Sequence, residues 1–252
     1  MIEIAGLTKL YGDFVAVSDL SFAVHPGEVL GLVGPNGAGK TTTLRCIAGI
    51  SPPTRGSIAI NGCDLALYPR TAKEQLEFFP DEPKLFDYLT VCQHLVFIAR
   101  VYQVADYAAR GEQLLVELEL ADKRDALPAE LSRGMKQKLA IACGLLHSPK
   151  AMYFDEPLTG LDPLGIREMK DSIVRRGREG GAIILSSHLL HLVQEICTHL
   201  LILKGGKMVA YGSLEEIHRR FAATAGTSLE DVFFRATTEA APDPAAPPIL
   251  PQ

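Results

Sequence analysis

The strongest constraint on this chain is the run Gly34-Pro35-Asn36-Gly37-Ala38-Gly39-Lys40-Thr41-Thr42, which fits the pattern G-x-x-x-x-G-K-[ST]. It follows a short apolar segment, Val29–Val33, and precedes a segment with helical spacing from Thr42 to Ile50, with Leu44, Ile47 and Ala48 inward. A strand, a glycine-rich turn and a helix in that order make a cradle for an anion. The glycines let successive backbone N–H groups face one point, and a helix starting near Lys40 aims the positive end of its dipole at the same place. Lys40 supplies a cation for the β- and γ-phosphates of a nucleotide, and the Thr41 hydroxyl can ligate Mg²⁺. On its own the pattern indicates nucleoside-triphosphate binding and does not choose among kinases, GTPases, helicases and transport ATPases.

The rest of the chain alternates short apolar strands with helical patterns, which predicts an α/β fold with a mostly parallel sheet. Asn61-Gly62 between apolar runs predicts a hairpin, so a small antiparallel sheet should join the core. Three helical patterns (Leu89 to Val104, Ala108 to Leu120 and Met135 to Leu146) suggest a helical insertion. Ala151 to Phe154 and Ile183 to Leu185 read as buried strands, and Leu200 to Tyr211 as a closing hairpin around Gly205-Gly206. The expected division is 1–80 and 150–217 for the nucleotide-binding core, 81–149 for the helical subdomain, and 218–252 for a C-terminal helix with a Pro/Ala-rich tail, disordered beyond Arg235.

Composition narrows the function classes. The 252 residues carry a formal net charge of −5, which argues against a general nucleic-acid binder. The five cysteines are scattered with no C-x-x-C pair, as expected of reduced, buried thiols in the cytosol. The N-terminus shows no secretory signal, and the most apolar stretch, Leu189 to Leu203, is broken by His191, Gln194, Glu195 and His199. Any role at a membrane is expected to be peripheral and exerted through a partner.

Asp155 and Glu156 end an apolar strand, where a parallel sheet presents its ligand crevice. Asp155 is placed to hold Mg²⁺ and Glu156 to orient and polarise an attacking water. Taken alone, two acids at a strand end read equally well as a solvated terminus; the phosphate loop tips the balance. His188, after the strand Ile183 to Leu185, would reach the same edge and contact the γ-phosphate, the water or Glu156. His191 and His199 are read as structural or exposed. Ser132 can cap the helix running to Leu146, and Gly134 allows a phosphate close to the backbone; by itself that heptapeptide is an ordinary capped helix.

The order of these motifs resembles the ATP-binding cassette (ABC) family over roughly residues 1 to 217. The family signature L-S-G-G-Q appears as Leu131-Ser132-Arg133-Gly134-Met135, with Arg133 and Met135 departing and Ser132 and Gly134 kept. The resemblance implies that Ser132 and Gly134 touch the phosphate held by a second subunit. It implies that Tyr11 stacks on adenine, that Gly160-Leu161-Asp162-Pro163 crosses a dimer interface, and that His188 is the switch histidine. The family's metal-contacting glutamine is replaced by Asp81, which can accept from a metal-bound water but cannot donate; Gln75 lies too early to substitute. By the same resemblance the chain uses ATP and Mg²⁺ and hydrolyses ATP. It pairs head to tail with itself or a sister ATP-binding subunit, and drives an integral membrane permease subunit from the cytoplasmic side of the cell membrane. The segment Ser228 to Phe234 is similar to the tail of single-cassette exporters. A soluble ABC ATPase acting on ribosomes or DNA is the alternative, although such proteins usually carry two cassettes or long coiled-coil insertions. A small-molecule kinase is a third reading and would lack the pairing of Leu131–Met135 with Asp155–Glu156.

Overall fold

A computed structural model describes residues 1–159, 161–221 and 228–238. Its elements run β1 (Ile2–Tyr11), β2 (Phe14–Val24), β3 (Val29–Val33), α1 (Lys40–Ile47), β4 (Arg55–Ile60), β5 (Cys63–Asp64), α2 (Pro69–Lys73) and β6 (Leu76–Phe79). There follow α3 (Val91–Tyr102), α4 (Tyr107–Glu117), α5 (Arg133–Leu145), β7 (Ala151–Asp155), α6 (Pro163–Arg178), β8 (Ala182–Ser186) and α7 (Leu190–Ile196). The last elements are β9 (His199–Lys204), β10 (Lys207–Ser213), α8 (Leu214–Phe221) and α9 (Leu229–Thr238).

Two sheets form. The larger has the order β10-β9-β3-β8-β7-β6 and is parallel except for β10, which returns antiparallel beside β9. The smaller, β2-β1-β4-β5, is antiparallel. The α/β class with an added antiparallel sheet, expected from the sequence, is therefore the observed fold. Asn61 and Gly62 adopt φ 48° and 78° between β4 and β5, the left-handed pair that a two-residue hairpin turn demands.

The larger sheet is buried on both faces, and its side chains divide by period two. Leu30, Leu32, Tyr153, Ile184 and Leu201 join α1 and the antiparallel sheet in one apolar core. Val33, Met152, Phe154, Ile183 and Ile202 join the helices in the other. Gly31 of β3 has a packing reason: a Cβ there would lie 2.6 Å from Val193 Cγ1, so glycine lets α7 lie close to the sheet.

Helices α3, α4 and α5 lie between β6 and β7 in the chain. Helix α3 starts at a reciprocal cap in which Thr90 and Gln93 satisfy each other's backbone N–H. Leu189 to Leu203, the apolar region broken by polar residues, holds a short helix, α7, that leads into β9. The expectation of disorder directly after Arg235 is corrected: α9 runs to Thr238, with Ser228 Oγ accepting from the Asp231 N–H at its start. The remainder of the tail, and Gly160, lie outside the described residues.

Candidate active site

Because β3, β8 and β7 are neighbours in parallel register, the turns at their carboxyl ends open at one place. The turn after β3 is the glycine loop. Gly37 and Gly39 take φ 77° and 101°, in the left-handed region that favours glycine. Gly34 is required by proximity: a Cβ would sit 2.4 Å from the Leu203 carbonyl oxygen. Ala38 is buried and donates its N–H to Pro35 O at 3.1 Å, while Pro35 and Asn36 are exposed. Helix α1 begins at Lys40 with no side chain capping its amino end, so its first N–H groups point into the loop. Lys40 is buried, and its Nζ donates to the carbonyls of Gly34 (2.7 Å) and Pro35 (3.3 Å). Burial holds its pKa below the ordinary lysine value, against the opposing pull of Glu156 and Asp155.

The acids lie beside the loop. Asp155, last residue of β7, is buried and accepts from Thr41 Oγ1 at 3.3 Å and from Ser186 Oγ at 2.6 Å. Glu156 follows with φ 52°, a strained conformation for a residue with a side chain. Its N–H is held by both Ser186 O (3.2 Å) and Ser186 Oγ (3.1 Å). This kink swings the Glu156 carboxylate away from Asp155 and toward His188, whose Nδ1 lies 2.9 Å from Oε2 and whose backbone N–H points at the same oxygen from 3.4 Å. Ser186 was not singled out from the sequence. Its signal was a hydroxyl at the end of a fully buried strand, directly opposite Asp155 in the β7–β8 register.

The oxygens of Thr41 and Asp155 suit Mg²⁺, which takes hard oxygen ligands, needs only one or two from protein, and keeps phosphate and water for the rest. No cluster of three or more His, Cys, Asp or Glu side chains with metal-binding geometry occurs among the described residues. Asp81 lines the same cleft as Thr41 and Asp155, a space of about 770 Å³ that continues past Phe79, Phe86, Phe97 and Tyr102. Tyr11 is half exposed at the end of β1, with Lys9 Nζ 5.0 Å from its ring centre.

Ser132 and Gly134 lie elsewhere. They line a separate hollow of about 470 Å³ with Arg133, Lys138, Leu161 and Asp162, and no residue of the glycine loop borders it. Ser132 Oγ accepts from the Met135 N–H at 3.2 Å, capping α5. A Cβ on Gly134 would meet only Leu161, at an ordinary 3.5 Å, so packing within the chain does not require glycine there. Asp162 caps α6 through the Gly165 N–H at 2.7 Å.

The sequence profile of the family described as "ABC transporter" matches residues 17–159, which span the glycine loop, the Ser132 cap and both acids. The chain belongs to the ABC transporter family. It is an ATP-binding subunit of that family, whose members generally bind and hydrolyse ATP. Its relatives include the ABC-type transporter ATP-binding protein EcsA of Bacillus subtilis, 33% identical over 95% of this chain and 97% of that protein. Another is the Nod factor export ATP-binding protein I of Burkholderia pseudomallei, 36% identical over 84% of this chain and 70% of that protein. Among solved structures, an ATP-binding subunit of an ABC transporter superposes with a TM-score of 0.89 at 36% identity, covering 94% of this chain and 99% of that one. CbiO1 of Clostridium perfringens, part of the transporter complex cbiONQ, superposes with a TM-score of 0.76 at 26% identity over 86% of this chain and 90% of that one. No helix among the described residues of this subunit is long and apolar enough to cross a membrane.

Proposed function

We propose that this subunit binds Mg-ATP in the loop from Gly34 to Thr42 and hydrolyses it to power a separate membrane permease subunit. Tyr11 stacks on the adenine and Lys40 grips the β- and γ-phosphates. Thr41, Asp155 and Asp81 hold Mg²⁺, which neutralises phosphate charge. Glu156 accepts a proton from the attacking water, and His188 holds the Glu156 carboxylate in line. The observation that carries this assignment is the Glu156–His188 contact of 2.9 Å, beside an Asp155 that is itself bonded to Thr41. A carboxylate held by a neighbouring donor beside the metal-side acid is the arrangement a general base needs.

Ser132 and Gly134 complete the site in trans. No residue of the glycine loop of the same chain borders their hollow, and Gly134 has no packing reason to be glycine. A second copy, or a sister ATP-binding subunit, placed head to tail brings the helix amino end of one chain to the terminal phosphate on the other. Cleavage of that phosphate removes the link and lets the halves part. Residues 1–80 and 150–217 act as the nucleotide-binding core, 81–149 as the helical subdomain, and 218–252 as a C-terminal appendage. The aromatic-lined part of the cleft, with Phe86 and Phe97 exposed, receives the permease on the cytoplasmic side of the membrane. Export is the proposed direction, supported by the relative named for Nod factor export. No role on nucleic acid is proposed.

Glu156→Gln tests the assignment. The variant should bind ATP with near-normal affinity, lose about 10²-fold or more of its turnover, and accumulate an ATP-bound dimer visible by analytical ultracentrifugation. Full ATPase activity in the purified variant refutes the role given to Glu156. Ser132→Arg should leave ATP binding by the monomer intact and block dimer formation.

A further inference from the structure

Two positions where this sequence departs from the family pattern lie against each other. Arg133 is the first residue of α5, immediately after the Ser132 cap, and its Nη2 is 3.4 Å from Asp81 Oδ1. A cation at a helix amino end is opposed by the helix dipole, so Arg133 needs a nearby anion. Among the described residues each of the two has the other as its sole ion-pair partner. Both side chains are about half exposed, at 57% and 44%, so the contact is easily exchanged. Asp81 also borders the cleft that contains Thr41 and Asp155.

We propose that Asp81 and Arg133 form a metal-exchangeable latch, in which Arg133 is a positioning residue that holds the Asp81 carboxylate until Mg-ATP claims it. The inference rests on Asp81 serving the metal, as proposed above. The guanidinium takes Asp81 Oδ1 and offsets the carboxylate's charge, which weakens it as an acceptor for a metal-bound water, so the two uses compete. Once Asp81 turns to the metal's water shell, Arg133 is released beside Ser132 and Gly134, where it adds positive charge to the face that meets the partner's triphosphate. Filling of one chain's own metal site is thereby reported to the helix end that seals its partner's.

The test is the Mg²⁺ concentration at half-maximal binding of the fluorescent nucleotide mant-ATP, measured on the full chain at protein concentrations where it is monomeric. Arg133→Gln removes the competitor and should lower that midpoint by about two- to fivefold, the range open to an exposed ion pair. Asp81→Asn should raise it. In the Asp81→Asn background, Arg133→Gln should change it no further, because the two act through one contact. An unchanged midpoint in Arg133→Gln overturns the latch. So does an equal fall in both backgrounds, which would mark Arg133 as a general repulsive charge. A wild-type protein that binds no mant-ATP at any Mg²⁺ concentration sinks the nucleotide assignment and the latch with it, whereas normal binding with a failed cycle sinks the latch alone. Matching urea-unfolding midpoints confirm that the exposed substitutions leave the fold intact.

Discussion

Replacing Ser186 with alanine should loosen Asp155 and Glu156 together while leaving the glycine loop's own bonds in place. The hydroxyl is fully buried, donates to Asp155 Oδ1 at 2.6 Å and accepts from the Glu156 N–H at 3.1 Å. A hydrogen bond to a charged group contributes about 1.5–3 kcal/mol and a neutral one about 1 kcal/mol. The Glu156 N–H keeps its second acceptor, Ser186 O at 3.2 Å, so most of that smaller contribution survives. Asp155 retains Thr41 Oγ1 at 3.3 Å, a longer and weaker contact. The expected loss is therefore about 1.5–3 kcal/mol of folding stability, read from urea denaturation at neutral pH without nucleotide. Glu156 also loses a clamp on its strained backbone, so ATP turnover should fall by more than ATP affinity does. A stability change below about 0.5 kcal/mol, together with unaltered turnover, would show that Ser186 does not hold the two acids.

Glu77, on the wall of the aromatic cleft, is held by burial at a pKa of about 7. Its protonated form is favoured in the folded state, so its destabilising effect is absent below about pH 4.5, grows as pH rises, and is complete above about pH 7. Glu77→Gln should thus stabilise the protein at pH 8 by on the order of 1–3 kcal/mol and do little at pH 4, measured by denaturant unfolding at the two pH values. Gly31→Ala should destabilise by about 1–3 kcal/mol, because the new methyl meets Val193 Cγ1 at 2.6 Å and Cys197 Sγ at 3.1 Å in a packed interior; an unchanged thermal midpoint would show that α7 moves freely.

What could be read from the sequence was whatever local chemistry dictates. The glycine loop, the Asn61-Gly62 hairpin and the buried strands β3, β7 and β8 each carry their signal within ten residues. The helices α3, α4 and α5 were visible from spacing, with limits displaced by a residue or more because caps such as Thr90–Gln93 decide where a helix begins. Strand β6 was missed: its pattern LEFF carries a glutamate that interrupts the apolar run expected of a buried strand. Helices α6 and α8 were not read either, since their long charged faces dilute the apolar stripe. At the site, the acids and His188 were legible as types at strand ends, but Ser186 was not, because its role exists only through the pairing of β7 with β8. The Asp81–Arg133 contact spans 52 residues, and no periodicity connects its ends.

The glycine loop does not hold its shape alone. Gly206 N donates to Ala38 O at 3.0 Å, Ser18 N donates to Gly206 O at 2.8 Å, and Cβ atoms on Gly39 or Gly206 would each come within 2.7 Å of Ala16 O. During synthesis a ribosome will have delivered Lys40 long before Gly206. Until the β9–β10 turn emerges, the loop lacks the bond from Gly206 N to Ala38 O, and a nascent chain halted before that point should hold nucleotide poorly. The loop's shape is therefore completed late in synthesis, by a turn that lies far along the chain from Lys40.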